Sequence, residues 1–124
     1  MLPRESEFPK YGQDYYDSYC KFFIYGNSKE RMPDHVKIFN KVGLAYGFLL
    51  DNAYIVDLEN KIEFFLSAVV YSNSNGILND DSYDYDTLTM PFLADVGRAI
   101  YEYELQRDRE FDPDLSHLNK IFSY

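Results

Sequence analysis

The sequence predicts one α+β domain, in which a three-stranded antiparallel sheet is preceded and followed by a helix. A length of 124 residues suits a single domain. Two β-rich runs flank the polar turn at 57–60, which is typical of a long hairpin. Apolar residues recur at helical spacing over 90–106, which indicates an amphipathic helix. At this length a compact fold buries roughly two thirds of its unfolded surface, so a real core is expected.

The N-terminal part predicts a lead-in and a helix. Residues 1–13 are mostly polar and contain two prolines, which favours an extended segment. Residues 14–26, "DYYDSYCKFFIYG", predict a helix capped by Asp14 and ended by Gly26. The apolar residues at helical spacing are Tyr15, Tyr16, Tyr19, Cys20, Phe23 and Ile24.

Three strands are predicted next, at about 35–43, 46–57 and 61–72, lying side by side in that order. The first alternates, with Val36 and Ile38 on one face and Lys37 and Phe39 on the other. The third, "IEFFLSAVVY", is almost entirely apolar, which suits a central strand covered on both faces.

The clearest helix is predicted at 90–106, with Thr89 as its cap and Pro91 in its first turn. Gly97 borders its apolar stripe, where it would allow a close approach to the sheet. The tail at 107–124 has a weak pattern and is predicted to be weakly structured. The stripe consists of Phe92, Leu93, Val96, Ala99, Ile100 and Tyr103.

Composition excludes several classes of function. The formal net charge of −9 argues against nucleic acid or an anionic membrane surface as a partner. No run of about 18 apolar residues is present, so no membrane span is expected. Cys20 is the single cysteine, which excludes an intrachain disulfide and a cysteine-based zinc cluster. The start, "MLPRESEFPK", has no apolar signal core, and the compartment stays open.

Several stretches in a fixed order carry a resemblance to a known family. They are "KFFIYGNSKERMPDHVKIFNKVG", "GFLLDNAYIVDLENKIEFFLSAVVYS" and "PFLADVGRAIYEYEL". Together they resemble the C-terminal portion of a serine hydrolase of the class A β-lactamase and penicillin-binding-protein superfamily. The resemblance covers roughly residues 14–105. It implies a partial β-lactamase-like fold, and it implies export to the periplasm or cell surface, as is typical of the bacterial family.

The resemblance assigns roles to the "NKVG" stretch, which matches the family's Lys-Thr-Gly strand. Lys41 would bind a carboxylate of a small-molecule or peptide-like substrate, and Gly43 would let that substrate approach as an added strand. The backbone N–H of Leu44 would contribute to the oxyanion hole. Val42 stands where the family usually has threonine or serine, so the carboxylate-binding hydroxyl is lost. No cofactor and no metal are implied.

The family's Ser-x-x-Lys nucleophile and Ser-x-Asn element have no accepted counterpart in this sequence. Ser18 and Lys21 match the first by chance, because they lie only about twenty residues before Lys41. Tyr71-Ser72-Asn73 follows Lys41 instead of preceding it. The chain is therefore expected to be the C-terminal segment of such a hydrolase and inactive alone. The alternative is a stand-alone α+β module with a binding or structural role and no catalysis.

Other candidate sites are weaker. Cys20 with His35 or His117 could form a nucleophilic pair, but nothing in the sequence places them together. The loop at 73–76 lacks the acidic residues of a calcium-binding EF-hand at both key positions. A hard cation could be held weakly by Asp80, Asp81, Asp84 and Asp86, although a solvated acidic loop is the ordinary interpretation. Finally, the apolar edge of the third strand predicts self-association, because the family's covering strands are absent here.

Overall fold

A computed structural model describes residues 2–122 of the chain. A single 3₁₀ turn is formed by Pro3–Glu5, and a π-helical turn by Tyr85–Thr89. The strands and helices are β1 (Val36–Ala45), β2 (Phe48–Asp57), β3 (Ile62–Tyr71), α1 (Met90–Gln106) and α2 (Ser116–Phe122).

The predicted antiparallel meander is confirmed, with the strands in the order β1-β2-β3. Val36 pairs with Asp57 at one end of the first hairpin, and Ala45 pairs with Phe48 at the other. A two-residue turn joins them, and both of its residues have positive φ: 52° at Tyr46 and 90° at Gly47. A Cβ at Gly47 would lie 2.6 Å from the carbonyl oxygen of Ser72, so glycine is required there.

The third strand differs from its prediction as a central strand covered on both faces. It lies at an edge of the sheet, and only its even-numbered side chains face the core. Phe65 and Val69 on the opposite face are 81% and 64% exposed. The prediction failed because apolar content alone does not say which strand finds a second neighbour.

The helix predicted at 14–26 is wrong. This segment forms a series of turns, with positive φ of 58° at Cys20 and 68° at Ile24. The backbone N–H groups of Phe22 and Phe23 donate to the carboxylate of Asp51, at 2.8 and 3.4 Å. A helix would direct those N–H groups to carbonyls one turn back, so bonding to Asp51 replaces the helical ladder.

The predicted helix at 90–106 is confirmed, but its buried face is rotated from the predicted stripe. Its buried residues are Leu93, Ala94 and Gly97, whereas Phe92 and Tyr103 are at least half exposed. Thr89 makes no capping hydrogen bond from its side chain, because the π-helical turn continues the chain's helical path before it.

The segment at 22–24 lies against both α1 and the sheet. A Cβ on Gly97 would sit 2.4 Å from the Ile24 backbone nitrogen. The close approach predicted for Gly97 is therefore real, but it is made to this segment. The core consists of Leu2, Phe22, Phe23, Ile24, Met32, Val36, Ile38, Leu49, Ala53, Ile55 and Leu93.

The two terminal segments are more ordered than predicted. Within the lead-in at 1–13, Leu2 is buried and Arg4 forms a salt bridge to Asp17. Within the tail at 107–124, α2 forms and Leu118 is buried. The last two residues of that tail lie outside the described part. Across residues 2–122, no helix has the length and apolar character that a membrane crossing requires.

Candidate functional site

Lys41 lies on β1, which forms the edge of the sheet opposite β3. Its side chain is exposed, and its Nζ donates to the carbonyl oxygen of Val42 at 3.1 Å. The Leu58 N–H donates to the His35 carbonyl, so these two residues form a hydrogen-bonded pair of the antiparallel ladder. Because such pairs recur at every second residue, the backbone N–H and C=O groups of odd-numbered β1 residues bond to β2, and those of even-numbered residues face outward. The Val42 carbonyl therefore points to the open edge, and the Lys41 ammonium group is at that edge with it.

Leu44 belongs to the same outward-facing set, because it lies two residues beyond Val42. Its N–H consequently faces the open edge, and its side chain is 46% exposed. Gly43 lies between Lys41 and Leu44 and pairs with Leu50. A Cβ at Gly43 would lie 3.1 Å from the Leu50 side chain, which occupies the space above the glycine. Lys41, Gly43 and Leu44 are thus contiguous, and two donors converge on one strand edge.

A cleft of about 550 Å³ adjoins this edge. Tyr85 fixes one of its walls, because the Tyr85 hydroxyl accepts a hydrogen bond from the Gly47 N–H at 3.0 Å. Asp81 and Asp86 place two carboxylates in the lining, so the cleft favours a ligand with a neutral or cationic end beside the turn. The lining consists of Leu44, Ala45, Tyr46, Asp81, Tyr83, Tyr85 and Asp86.

Ser18 and Lys21, the chance match to Ser-x-x-Lys, bond to different groups. The buried Ser18 hydroxyl donates to the carbonyl of Ser28. The Lys21 Nζ donates to the carbonyl of Ile38 at 3.0 Å and to Asn40 Oδ1 at 3.1 Å. Burial lowers the pKa of Lys21, while the Asp51 carboxylate opposes that shift. The hydroxyl proton therefore has an acceptor other than the lysine.

Asp51 is the centre of a buried polar cluster that sequence reasoning missed. Its side chain is 1% exposed, and besides Phe22 and Phe23 it accepts a hydrogen bond from Asn40 Nδ2 at 3.0 Å. Asn40 also donates to the Cys20 carbonyl at 2.8 Å. An aspartate within a mostly apolar strand was the available signal. Its satisfied bonds are those of a structural clamp between β1, β2 and the 20–23 segment.

A second buried carboxylate, Asp57, organises the β2–β3 turn. It accepts hydrogen bonds from the Tyr101 hydroxyl, from Asn60 Nδ2 at 2.8 Å and from the backbone N–H groups of Glu59 and Asn60. Burial alone would raise the pKa of Asp57, but these hydrogen bonds more than offset it, so that pKa is lowered. Burial and the bond to Asp57 raise the pKa of Tyr101.

The remaining predicted sites are not brought together. Cys20 is exposed, His35 lies 3.4 Å from Glu59, and His117 contacts the Asp114 carbonyl. In the acidic loop, the Asp84 carboxylate accepts bonds from Ser72 and Ser74, and these bonds lower its pKa. Within residues 2–122, no three histidine, cysteine, aspartate or glutamate side chains are arranged to hold a metal ion.

Comparison with known proteins adds no relative: no family model, curated protein or solved structure matches the chain.

Proposed function

We propose that the open edge of β1 is a substrate-binding wall of a serine hydrolase of the β-lactamase-like class. In this proposal the chain is the C-terminal segment of that enzyme, and the serine nucleophile is supplied by residues beyond these 124. The substrate is a small-molecule or peptide-like acyl compound with a carboxylate. The segment is inactive alone.

One observation carries the proposal: the Lys41 ammonium group and the Leu44 N–H converge on one open strand edge. An extended substrate placed there pairs with the outward-facing groups of Val42 and Leu44, as an added strand does. Its carboxylate then reaches Lys41, whose Nζ donates to the Val42 carbonyl at 3.1 Å. The acids of the neighbouring cleft lie beyond Leu44, so the anionic end of the substrate is directed toward Lys41 and away from the turn.

The order of elements agrees with the same proposal. A meander whose first strand is an edge, followed by a helix on the core face, is the arrangement that the resemblance implies for this portion of the family. The turn structure at 14–26 departs from it, because the family has a helix there. The turn segment reaches the edge of β1 at Ile38, whose outward carbonyl accepts a hydrogen bond from Lys21, and the proposed wall lies four to six residues further along the strand, at Val42 and Leu44.

Binding of a minimal substrate tests the proposal. N-acetyl-D-alanyl-D-alanine is titrated into the protein while backbone amide chemical shifts are followed, and its C-terminal amide serves as the uncharged control. We expect shifts at Gly43 and Leu44 with the acid and little change with the amide. Lys41→Ala should weaken binding about fivefold, as an exposed ion pair worth about 1 kcal/mol requires.

Lys61→Ala is the matched control, because Lys61 is an exposed lysine beside the β2–β3 turn, at the far end of the sheet from the β1–β2 turn. It should leave the titration unchanged. Equal weakening by both variants would show a general effect of charge, and unshifted Gly43 and Leu44 amides would remove β1 from the site.

A binding module without catalysis is the second candidate, and an aromatic cleft of about 510 Å³ favours it. The rings of Tyr11, Tyr15 and Tyr19 follow one another at centroid distances of 5.1 and 4.9 Å. Such a surface suits an apolar or aromatic ligand, because half-exposed tyrosines offer apolar ring surface for packing and hydroxyl groups for hydrogen bonds. The cleft is lined by Leu2, Pro3, Ser6, Phe8, Pro9, Tyr11, Tyr15, Tyr19 and Lys21.

The fluorescent probe 8-anilinonaphthalene-1-sulfonate tests this second candidate. Binding at the cleft should be lost in Tyr15→Ser and retained in Phe65→Ser, which changes an exposed ring on the sheet instead. Loss in Phe65→Ser alone would place the probe on the sheet and remove the support for an aromatic cleft site.

A further inference from the structure

The edge of β3 is unprotected by the features that usually prevent strand pairing. Its sequence, "IEFFLSAVVY", contains no lysine, no proline and one charged residue, Glu63. The Ser72 N–H donates to the Gly47 carbonyl, which makes these residues a hydrogen-bonded pair of the antiparallel ladder. The backbone N–H and C=O groups of even-numbered β3 residues therefore bond to β2, and those of odd-numbered residues face outward. Across residues 2–122, no hydrogen bond from outside the sheet reaches the outward N–H and C=O groups of Phe65, Ser67 and Val69.

From this edge we infer that the chain forms a two-fold homodimer by antiparallel pairing of β3 with β3 of a second copy. Pairing must join odd residues to odd residues, because only those have free backbone groups. The register centred on Ser67 satisfies this condition and places Phe65 opposite Val69, and Glu63 opposite Tyr71. Five such pairs make about ten hydrogen bonds, which is the number of an ordinary specific interface.

The side chains are complementary in the same register. Phe65 already stacks on Tyr54, at 4.9 Å between ring centroids, and Tyr54 stacks on Phe39 at 6.0 Å. Opposite Phe65, Val69 of the second copy lies beside its own Leu50. One apolar row therefore crosses five strands and ends at Gly43 on β1 of the second copy. Aromatic and β-branched residues facing each other across strands are among the favourable cross-strand pairs. Either register shifted by one residue per chain leaves four such pairs within the strand instead of five, and the one centred on Leu66 also places Phe65 opposite Ser67.

Local charge does not oppose the paired register. The two Glu63 residues lie at opposite ends of the paired strands, about 27 Å apart for eight residues of strand. That separation exceeds the screening length of roughly 8 Å at physiological salt. The Tyr54 hydroxyl donates to the Glu63 carboxylate within each copy, and burial and this bond raise the pKa of Tyr54 to about 12. A cleft of about 420 Å³ lies between Glu63 and the segment at 107–113, on the side where the inferred register brings Tyr71 of the second copy.

The inference is independent of the proposed function, because β1 and β3 are opposite edges of the sheet. A substrate on β1 and a second copy on β3 do not compete. The net charge of −9 per chain predicts that the dimer tightens as salt rises, since long-range repulsion is screened.

Sedimentation equilibrium over a hundredfold range of concentration tests the inference. We expect a mass that doubles from the 14.7 kDa of one chain, with no larger species, because a two-fold pairing closes. Ser67→Pro removes an outward N–H at the centre of the interface and should keep the protein monomeric. Leu44→Pro makes the same change at the opposite edge and should leave the dimer intact. Amide spectra of both variants verify that each folds.

Disulfide cross-linking determines the register of the β3–β3 pairing independently of the proline variants. In a Cys20→Ser background, oxidation should join chains through Ser67→Cys. Asn52→Cys lies one strand inward on each chain and should not be joined. A monomer at all concentrations, open-ended aggregates, a dimer that survives Ser67→Pro, or cross-links through Asn52→Cys alone would each overturn the inference.

Discussion

Replacing Asp51 with alanine should remove most of what holds the 20–23 segment on the sheet. The carboxylate is buried and accepts hydrogen bonds from the Phe22 N–H at 2.8 Å and from Asn40 Nδ2 at 3.0 Å, with a longer one from the Phe23 N–H. Lys21 also loses its nearby counter-charge, which would lower its pKa further. The substitution therefore leaves buried donors without acceptors and takes the main counter-charge from a buried ammonium group.

The size of the effect follows from the two short bonds. Each hydrogen bond to a charged group contributes about 1.5–3 kcal/mol, and a buried donor left unpaired costs a similar amount. The loss should be about 3–5 kcal/mol, against a total of roughly 5–15 kcal/mol for a typical domain. With a urea dependence of about 1–3 kcal/mol per molar, the unfolding midpoint should fall by about 2 M.

Urea unfolding followed by circular dichroism measures this change. Asn52→Ala is the matched control, because Asn52 is the next residue on β2, is exposed and faces away from the core. It should change the unfolding free energy by no more than about 0.5 kcal/mol. If Asp51→Ala also cost less than about 1 kcal/mol, the clamp would be incidental and the turn structure of the 20–23 segment would need another cause.

Three further predictions address the packing, the pH response and the serine. Gly97→Ala should destabilise the fold by several kcal/mol in urea unfolding, because the new Cβ would lie 2.4 Å from the Ile24 nitrogen; a neutral result would mean that α1 is not packed there. Asp57 has a lowered folded pKa, so its contribution to stability is present above the unfolded value of about 3.9 and is lost as pH falls through the folded value. The stability difference between the wild type and Asp57→Asn should therefore shrink on acidification, and a constant difference from pH 6 to pH 2 would contradict the assignment. Incubation with a β-lactam should leave no acyl adduct on Ser18 by peptide mass mapping, because its hydroxyl donates to Ser28; an adduct there would restore the Ser-x-x-Lys match.

The sheet and α1 could be predicted from the sequence because their signals are local. The alternation of apolar and polar residues predicted β1, and the polar residues at 57–60 predicted the turn between β2 and β3. Apolar residues at helical spacing predicted a helix at 90–106, within a residue of the observed ends of α1. The predictions that failed concern segments whose structure depends on contacts with residues distant in sequence. Of the apolar residues at helical spacing in 14–26, Phe23 and Ile24 are buried, whereas Tyr15, Tyr19 and Cys20 are exposed. The carboxylate of Asp51, about thirty positions later, accepts hydrogen bonds from the backbone of this segment.

The same distinction applies to the candidate site. Lys41, Gly43 and Leu44 could be singled out from their order along a strand. To know that the Leu44 N–H faces outward, the pairing register of β1 with β2 had to be known. The sequence suggests that register only through the length of the β1–β2 turn. The buried face of α1 was misplaced by about one position, because Gly97 turns toward the 22–24 segment, and no pattern within α1 predicts that contact.

The most direct test of the proposed function is amide hydrogen exchange at Leu44, measured by nuclear magnetic resonance with and without a carboxylate-bearing acyl ligand. The Leu44 N–H faces the open edge of β1 and should exchange rapidly in the free protein. With N-acetyl-D-alanyl-D-alanine near saturation, its exchange should slow at least tenfold, while the C-terminal amide of the same compound has little effect. Unchanged exchange at Leu44, with protection appearing elsewhere, would show that the β1 edge is not the substrate-binding wall.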